Sequence, residues 1–378
     1  MNSLHLTPDH LLPLLSSEDE MKRWGYIIDV PDGSGGSKPS EVGNTMKCER
    51  CAQPYQVKPK DQVFEECEYH FGKQFTRLIN GKLLSNCFVS ELVLIGSPGE
   101  RTRVYTCCSR PSSEGGGCIR GPHVFYESEP TKLHLRHAFS PTRAPLFSKD
   151  SSETALDVAA LDCEMVYTTG GMRCARVSVV DGARNEVFDE FVKMDDDVEI
   201  VYVSCPCMPS LGLLTRWWSS DYITRFSGIT AENHSKAVLT LASIRKSLDA
   251  LINANTILIG HALDNDLKAL RMIHRQCVDT AMLFPHRAGH PYRRALKDLW
   301  VQTNNLVRQA ESFFDRVKDH LGTVIQGGEL GHSSVEDSIA TLDLVRWYVV
   351  NKPKPRKSIS GDTKRQRVDR SDNAIISW

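Results

Sequence analysis

The sequence predicts an α/β domain, a mixed β-sheet flanked by helices, preceded by a small Cys/His-rich module. Three observations carry this. Apolar runs of strand length at 159–166 and 256–259 alternate with stretches of helical period. Residues 173–180 and 186–192 read as strands around an Asp181-Gly182 turn, so the sheet starts antiparallel and turns parallel where 256–259 enters. Finally, Cys48, Cys51, Cys67, Cys87, Cys107, Cys108 and Cys118, seven of the twelve cysteines, crowd the first third of the chain.

Composition narrows the function classes. The 378 residues suffice for one large domain and a smaller one, with 25% charged and 40% hydrophobic residues and a formal net charge of −1. No global basic field grips a polyanion, so any such site is local. No apolar run reaches membrane-spanning length, and no basic start leads into an apolar core. Secretion and membrane partners are therefore not expected. In that setting clustered cysteines suggest metal rather than disulfides.

Residues 1–46 offer one helix, with Thr7 as cap and Pro8 in its first turn, and then a Gly/Ser/Pro-rich mobile connection over 29–44. The module spans 47–139. Cys48 and Cys51 are separated by two residues, and Cys67 and His70 supply a second pair. Together they make a tetrahedral Zn²⁺ set. Cys107, Cys108, Cys118 and His123 form a looser set, either a second Zn²⁺ site or free thiols in a small core. Vicinal cysteines in a strand face opposite ways, so one of Cys107 and Cys108, taken as Cys108, would ligate. A polar linker covers 140–154, and the main domain runs over 155–351. Within it, 235–253 reads as an amphipathic helix, with Val238, Leu241, Ile244, Leu248 and Leu251 on one side. Asp279 lies in a short strand and takes a structural role. Arg293, Arg294 and Lys297 are either a substrate-facing basic cluster or a solvated helix face. The last helix is 335–350, and 352–378 is a basic disordered tail suited to nuclear import or RNA affinity.

The chemistry centres on ALDCEM. Asp162 and Glu164 share a strand face, and two bare carboxylates in an apolar strand repel each other and lose hydration. A divalent cation removes that cost, and hard oxygen donors suit Mg²⁺ or Mn²⁺. Downstream, Asp266 sits in the first turns of a helix after the 256–259 strand, and His332 precedes Asp337 by five residues. Asp264 reads as a helix cap.

The order of these motifs, ALDCEM, IGHALDNDLKAL and GHSSVEDS, resembles the DEDDh branch of the 3′–5′ exonucleases. Within it, the chain is similar to the RNA exonuclease family that contains fungal RNA exonucleases 1, 3 and 4. CERC, CEYHFGK, VYTCC and GCIRGPHVF resemble the amino-terminal module of the RNA exonuclease 3 type. The resemblance implies an RNase H-like exonuclease fold and 3′–5′ hydrolysis of RNA to 5′-mononucleotides. It implies two Mg²⁺ or Mn²⁺ ions held by Asp162, Glu164, Asp266 and Asp337, with His332 as general base. Asp162 would bridge both ions, and Met165 is a candidate near the terminal sugar. Implied partners are single-stranded RNA 3′ ends and ribonucleoprotein particles, in nucleus and cytoplasm, in 3′-end maturation of RNase MRP RNA, snRNA and rRNA. A DNA or small-oligonucleotide exonuclease and a non-catalytic RNA-binding protein are the rival classes. Against the family pattern, 201–220 and 301–314 read as insertions. The first is either an apolar surface loop or a translated intron; the second extends a helix or forms a loop.

Overall fold

A computed structural model describes residues 4–78, 101–146, 153–201, 227–311 and 333–351, leaving aside the side chains of Leu78 and 304–311. His332, residues 202–220 of the first insertion, 312–314 of the second, and 352–378 lie outside the described residues.

Six strands form the main sheet: β1 (Val158–Thr168), β2 (Gly171–Asp181), β3 (Glu186–Lys193), β4 (Leu239–Thr240), β5 (Ile257–Gly260) and β6 (Cys277–Asp279). Their order is β4-β3-β2-β1-β5-β6. β1, β2 and β3 are antiparallel neighbours, whereas β5 joins β1, and β6 joins β5, in parallel. The mixed sheet expected from the sequence is thus present, turning at Asp181, whose Oδ1 accepts from the Ala183 and Asn185 amides at 2.8 Å.

Period-two alternation sorts the β1 side chains onto two cores. Ala159, Leu161 and Cys163 pack with helices α1 (Leu241–Leu248) and α2 (Asp264–Leu270). Val158 and Ala160 pack with Leu342 and Val345 of α4 (Ser334–Asn351) and with Leu6 and Leu11. α1 starts later than its apolar pattern implies. Thr240 caps it by accepting from the Ser243 amide, and Val238 before the cap is 76% exposed. Helix α3 (Leu296–Glu311) continues through the start of the second insertion, as its helix-extending reading expects.

The stretch 29–44, read as a mobile connection, is instead fastened down. Glu41 is buried in an ion pair with Arg136, and the Lys38 and Glu41 amides donate to Leu135 O and Thr169 O. Gly, Ser and Pro mark turns as readily as disorder, and here the turns run along a packed surface. The 140–154 linker is likewise tied in, since Ser140–Pro141 pairs in parallel with Met272–Ile273.

His274 sits under this linker, 1% exposed, with Nε2 donating to Thr256 O at 2.7 Å and Thr142 Oγ1 at 3.1 Å from Nδ1. Burial holds its imidazole down to about 4. The unfolded chain takes up this proton below the ordinary value near 6.5, the folded chain only near 4. The stabilisation is therefore whole above that ordinary value and drains as pH falls toward 4, by about 2 to 3 kcal/mol. Denaturant titrations of wild type and His274→Gln at pH 7 and pH 4.5 are expected to show the variant's deficit shrinking by that amount in acid. A deficit independent of pH would refute this.

Candidate active site and metal clusters

β5 ends at Gly260, so β1 loses its parallel partner beyond Ala160. Asp266 of α2 takes the vacated edge, its Oδ1 accepting from the Cys163 amide at 2.9 Å. Asp162 and Glu164 flank that amide on the opposite face, the one that carries α4. Helix α4 is pinned there by hydroxyls: Asp162 pairs across the ladder with Ser178, and Ser334 Oγ donates to Ser178 Oγ at 2.6 Å. Asp337 follows one turn on and faces the same carboxylates. A β-bulge between Glu164 and Met165 then turns the strand, and Met165 packs against the α2-side core.

Four carboxylates from three elements therefore lie close enough to feel one another's charge, although among the described residues the groups of three or more donors within 4.8 Å of one another are the two Cys/His clusters. Glu164, Asp266 and Asp337 are 8%, 4% and 5% exposed, and Asp162 is partly exposed as a residue while its carboxyl group is buried. Burial, then the charges of Asp266, Asp337 and Glu164, holds the Asp162 carboxyl well above the usual carboxylate range. Burial and Asp337 push Glu164 up to about 9. Burial also raises Asp266, against the pull of the Cys163 amide. The cation that eases Glu164 is Arg176, which is already held by Asp189 at 2.7 and 2.8 Å. Buried carboxylates this short of counter-charge among the described residues have the hard oxygen chemistry that suits a divalent cation.

The loop that carries Asp266 is braced by groups that sequence motifs do not reveal. Ala262 stands at φ +55°, held there by Asp279, which accepts from the Ala262, Leu263 and Ala281 amides. The other side of Asp279 accepts from Tyr26 Oη at 2.7 Å, a partner 253 residues away. Asp264 is not a cap: Leu263 holds that position, and Asp264 pairs with Lys268 at 2.8 Å and Arg293 at 2.6 Å. Arg293 also donates to Trp24 O and lies over the Trp24 ring, so the structure spends it on the fold rather than on an open basic cluster. Arg294 is half-buried, reaching Gln302, while Lys297 is exposed.

In the amino-terminal module the histidines exchange places relative to expectation. One cluster is Cys48, Cys51, Cys67 and His123; the other is His70, Cys107, Cys108 and Cys118. Cys67 and His70 stand three residues apart along an extended segment, about 10 Å, too far for one ion. Cys67–Tyr69 pairs antiparallel with Ile119–Gly121, setting Cys67 against Gly121 on the way to His123, while the Cys118 amide donates to Tyr69 O beside His70. Cys107 and Cys108 lie in a turn after the Arg101–Tyr105 strand, not in it, so both reach the cluster. That approach requires Gly72, where an added Cβ would stand 2.4 Å from the Cys107 amide nitrogen. Cys48 and Cys67 sulfurs are 3.8 Å apart, about the edge of a tetrahedron with 2.3 Å Zn–S bonds. The remaining contacts are Cys51 to His123 Nδ1 at 3.4 Å, and Cys107 and Cys108 to His70 Nδ1 at 3.6 and 3.5 Å. The first knuckle docks on the end of β1, where Tyr167 Oη donates to Glu49 at 2.8 Å and Arg50 lies over the Tyr167 ring.

No family model matches the chain. It is 32% identical over 349 residues to Exonuclease GOR of Pan troglodytes, covering 90% of this chain and 41% of that protein. It is 32% identical over 353 residues to the RNA exonuclease 1 homolog of Homo sapiens, covering 91% and 24%. With RNA exonuclease 3 of Schizosaccharomyces pombe it shares 33% over 343 residues, covering 90% and 50%. The chain thus spans half or less of the length of these relatives. Among solved structures, the pseudoubiquitin hydrolase–RNA exonuclease module of Saccharomyces cerevisiae Pan2 in complex with A7 RNA superposes at a TM-score of 0.37 with 22% identity. That match covers 57% of this chain and 32% of that one, too loosely to carry weight. Over nine-tenths of its length the chain is thus similar to exonucleases of the GOR, RNA exonuclease 1 and RNA exonuclease 3 kind.

Proposed function

We propose that the chain is a 3′–5′ exoribonuclease that releases 5′-mononucleotides and trims the 3′ ends of structured non-coding RNAs, among them RNase MRP RNA, snRNA and rRNA, in nucleus and cytoplasm. The observation that carries the activity is the mutual influence of Asp162, Glu164, Asp266 and Asp337, four buried carboxyl groups short of counter-charge. These four would hold Mg²⁺ or Mn²⁺. When bound, such ions supply an activated water and offset charge building on the phosphoryl oxygens. Asp162 and Glu164, fixed by the β1–β2 ladder, set the spacing of the donors, and the hydroxyl pair of Ser178 and Ser334 fixes how closely Asp337 approaches. His332, just ahead of α4 in sequence, takes the proton from the attacking water as a neutral imidazole. The two Cys/His clusters would hold structural Zn²⁺, and the first buttresses the far end of the strand that bears the acidic pair.

A 20-nucleotide RNA labelled at its 5′ end is expected to shorten stepwise in Mg²⁺, and the same RNA labelled at its 3′ end to yield labelled mononucleotide at once. Internal products, or no cleavage, would overturn the proposal. Faster hydrolysis of the matched DNA would favour the DNA exonuclease reading.

A further inference from the structure

Outside the acidic site, the described residues of the second Cys/His cluster carry an uneven distribution of charge. The strands Gln74–Leu78 and Arg101–Tyr105 form an antiparallel ribbon in which Thr76 opposes Arg103 and Gln74 opposes Tyr105. Across 71–78 and 101–110 there are five cations, Lys73, Arg77, Arg101, Arg103 and Arg110, and no acidic residue, in a chain whose net charge is −1. One face of the ribbon turns inward at Val104, 4% exposed. The other presents Arg101 and Arg103 to solvent, and neither is engaged by a carboxylate among the described residues. Tyr105 continues that outward row, stacked on the ligand His70 with ring centroids 3.6 Å apart and its hydroxyl accepting from Gln74 Nε2 at 2.8 Å.

We propose that this outward face is a binding track for the sugar-phosphate backbone of single-stranded RNA, upstream of the 3′ end that enters the acidic site. Alternate strand residues repeat about every 6.6 Å, a step comparable with successive phosphates of an extended strand. Arg101 and Arg103 are thus spaced to take neighbouring phosphates, and guanidinium suits that anion by shape as well as charge. Tyr105 offers an aromatic plane at the end of the row, and its stacking on a cluster histidine fixes that plane without loose rotamers. Charge and stacking are common to every nucleotide, so contacts of this kind do not discriminate by sequence. The track also explains how a chain with no global basic field holds a polyanion: the charge is concentrated on one ribbon of the amino-terminal module.

The inference rests on the exoribonuclease reading for its direction, and the test separates the two. Binding of a 20-nucleotide single-stranded RNA to full-length protein in an Asp162→Asn background, over 50 to 300 mM salt, gives affinity and salt slope. Arg101→Gln with Arg103→Gln is expected to weaken binding about tenfold and to lower the slope by about 1.4, two phosphate contacts at roughly 0.7 each. Arg101→Lys with Arg103→Lys should keep most of the slope. Unchanged metal content in the Gln variant shows the cluster intact. With Asp162 restored, the Gln variant should cleave a dinucleotide, too short to reach the ribbon, at the wild-type rate. Unchanged affinity and slope overturn the track, whether or not the chain cleaves RNA. A chain that cleaves nothing yet shows the slope change keeps the track and loses the nuclease.

Discussion

Replacing Asp162 by alanine is expected to lower single-turnover cleavage of RNA in saturating Mg²⁺ about a thousandfold, equivalent to about 4 kcal/mol of lost transition-state stabilisation. Asp162 is the carboxyl that feels Asp266, Asp337 and Glu164 at once. The fold should not suffer. Burial and mutual repulsion hold these carboxyls above their usual range in the metal-free chain, so deleting one removes a buried polar group that the fold does not need, and the melting temperature in metal-free buffer should hold or rise. RNA affinity, supplied elsewhere, should persist. A rate within tenfold of wild type would remove Asp162 from the metal site, and a melting temperature lowered by many degrees would make its role structural instead.

The second large effect concerns the Cys/His module. Elemental analysis of protein purified without added metal is expected to give two Zn²⁺ per chain, falling to one in Cys48→Ser with Cys51→Ser. Adding His70→Ala to that pair should take the content toward zero, because His70 serves the other cluster. Were His70 grouped with Cys48, Cys51 and Cys67, as the linear spacing suggests, the triple variant would keep the zinc that the double variant keeps. The stakes are large: structural Zn²⁺ contributes roughly 10 kcal/mol or more of binding free energy to a small site, most of it coupled to folding. Limited proteolysis should accordingly cut the module of the triple variant and spare α1, α2 and α4.

These two cases mark what the sequence makes legible. Asp162 and Glu164 could be read because a strand's alternation is strict over two residues, and Asp266 because a strand, a turn and a helix start occupy adjacent residues. What escapes is whatever the chain assembles from far apart. The Tyr26–Asp279 bond and the Ser178–Ser334 bond join partners 253 and 156 residues distant, and single-sequence periodicity carries no trace of either. The exchanged histidines are the same failure at short range. Adjacency to Cys67 assigned His70 to the first cluster, whereas strand pairing, invisible in the spacing, hands it to the second. Arg293 misled for a different reason: a basic side chain near an acidic site invites a substrate, but buried Asp264 needed a counter-ion first.

One packing detail bears on how the molecule is made. Leu6 and Leu11 share a cluster with Val158 and Ala160 of the central strand and with Leu342 and Val345 of the final described helix. A cluster that holds both Leu11 and Val345 spans more than three hundred residues of chain, so the entropy of closure is spent before that side of the sheet is covered. During synthesis the face that later holds Asp162 and Glu164 waits uncovered until α4 emerges. The growing chain therefore has to keep an apolar sheet face from its neighbours until that helix has been made.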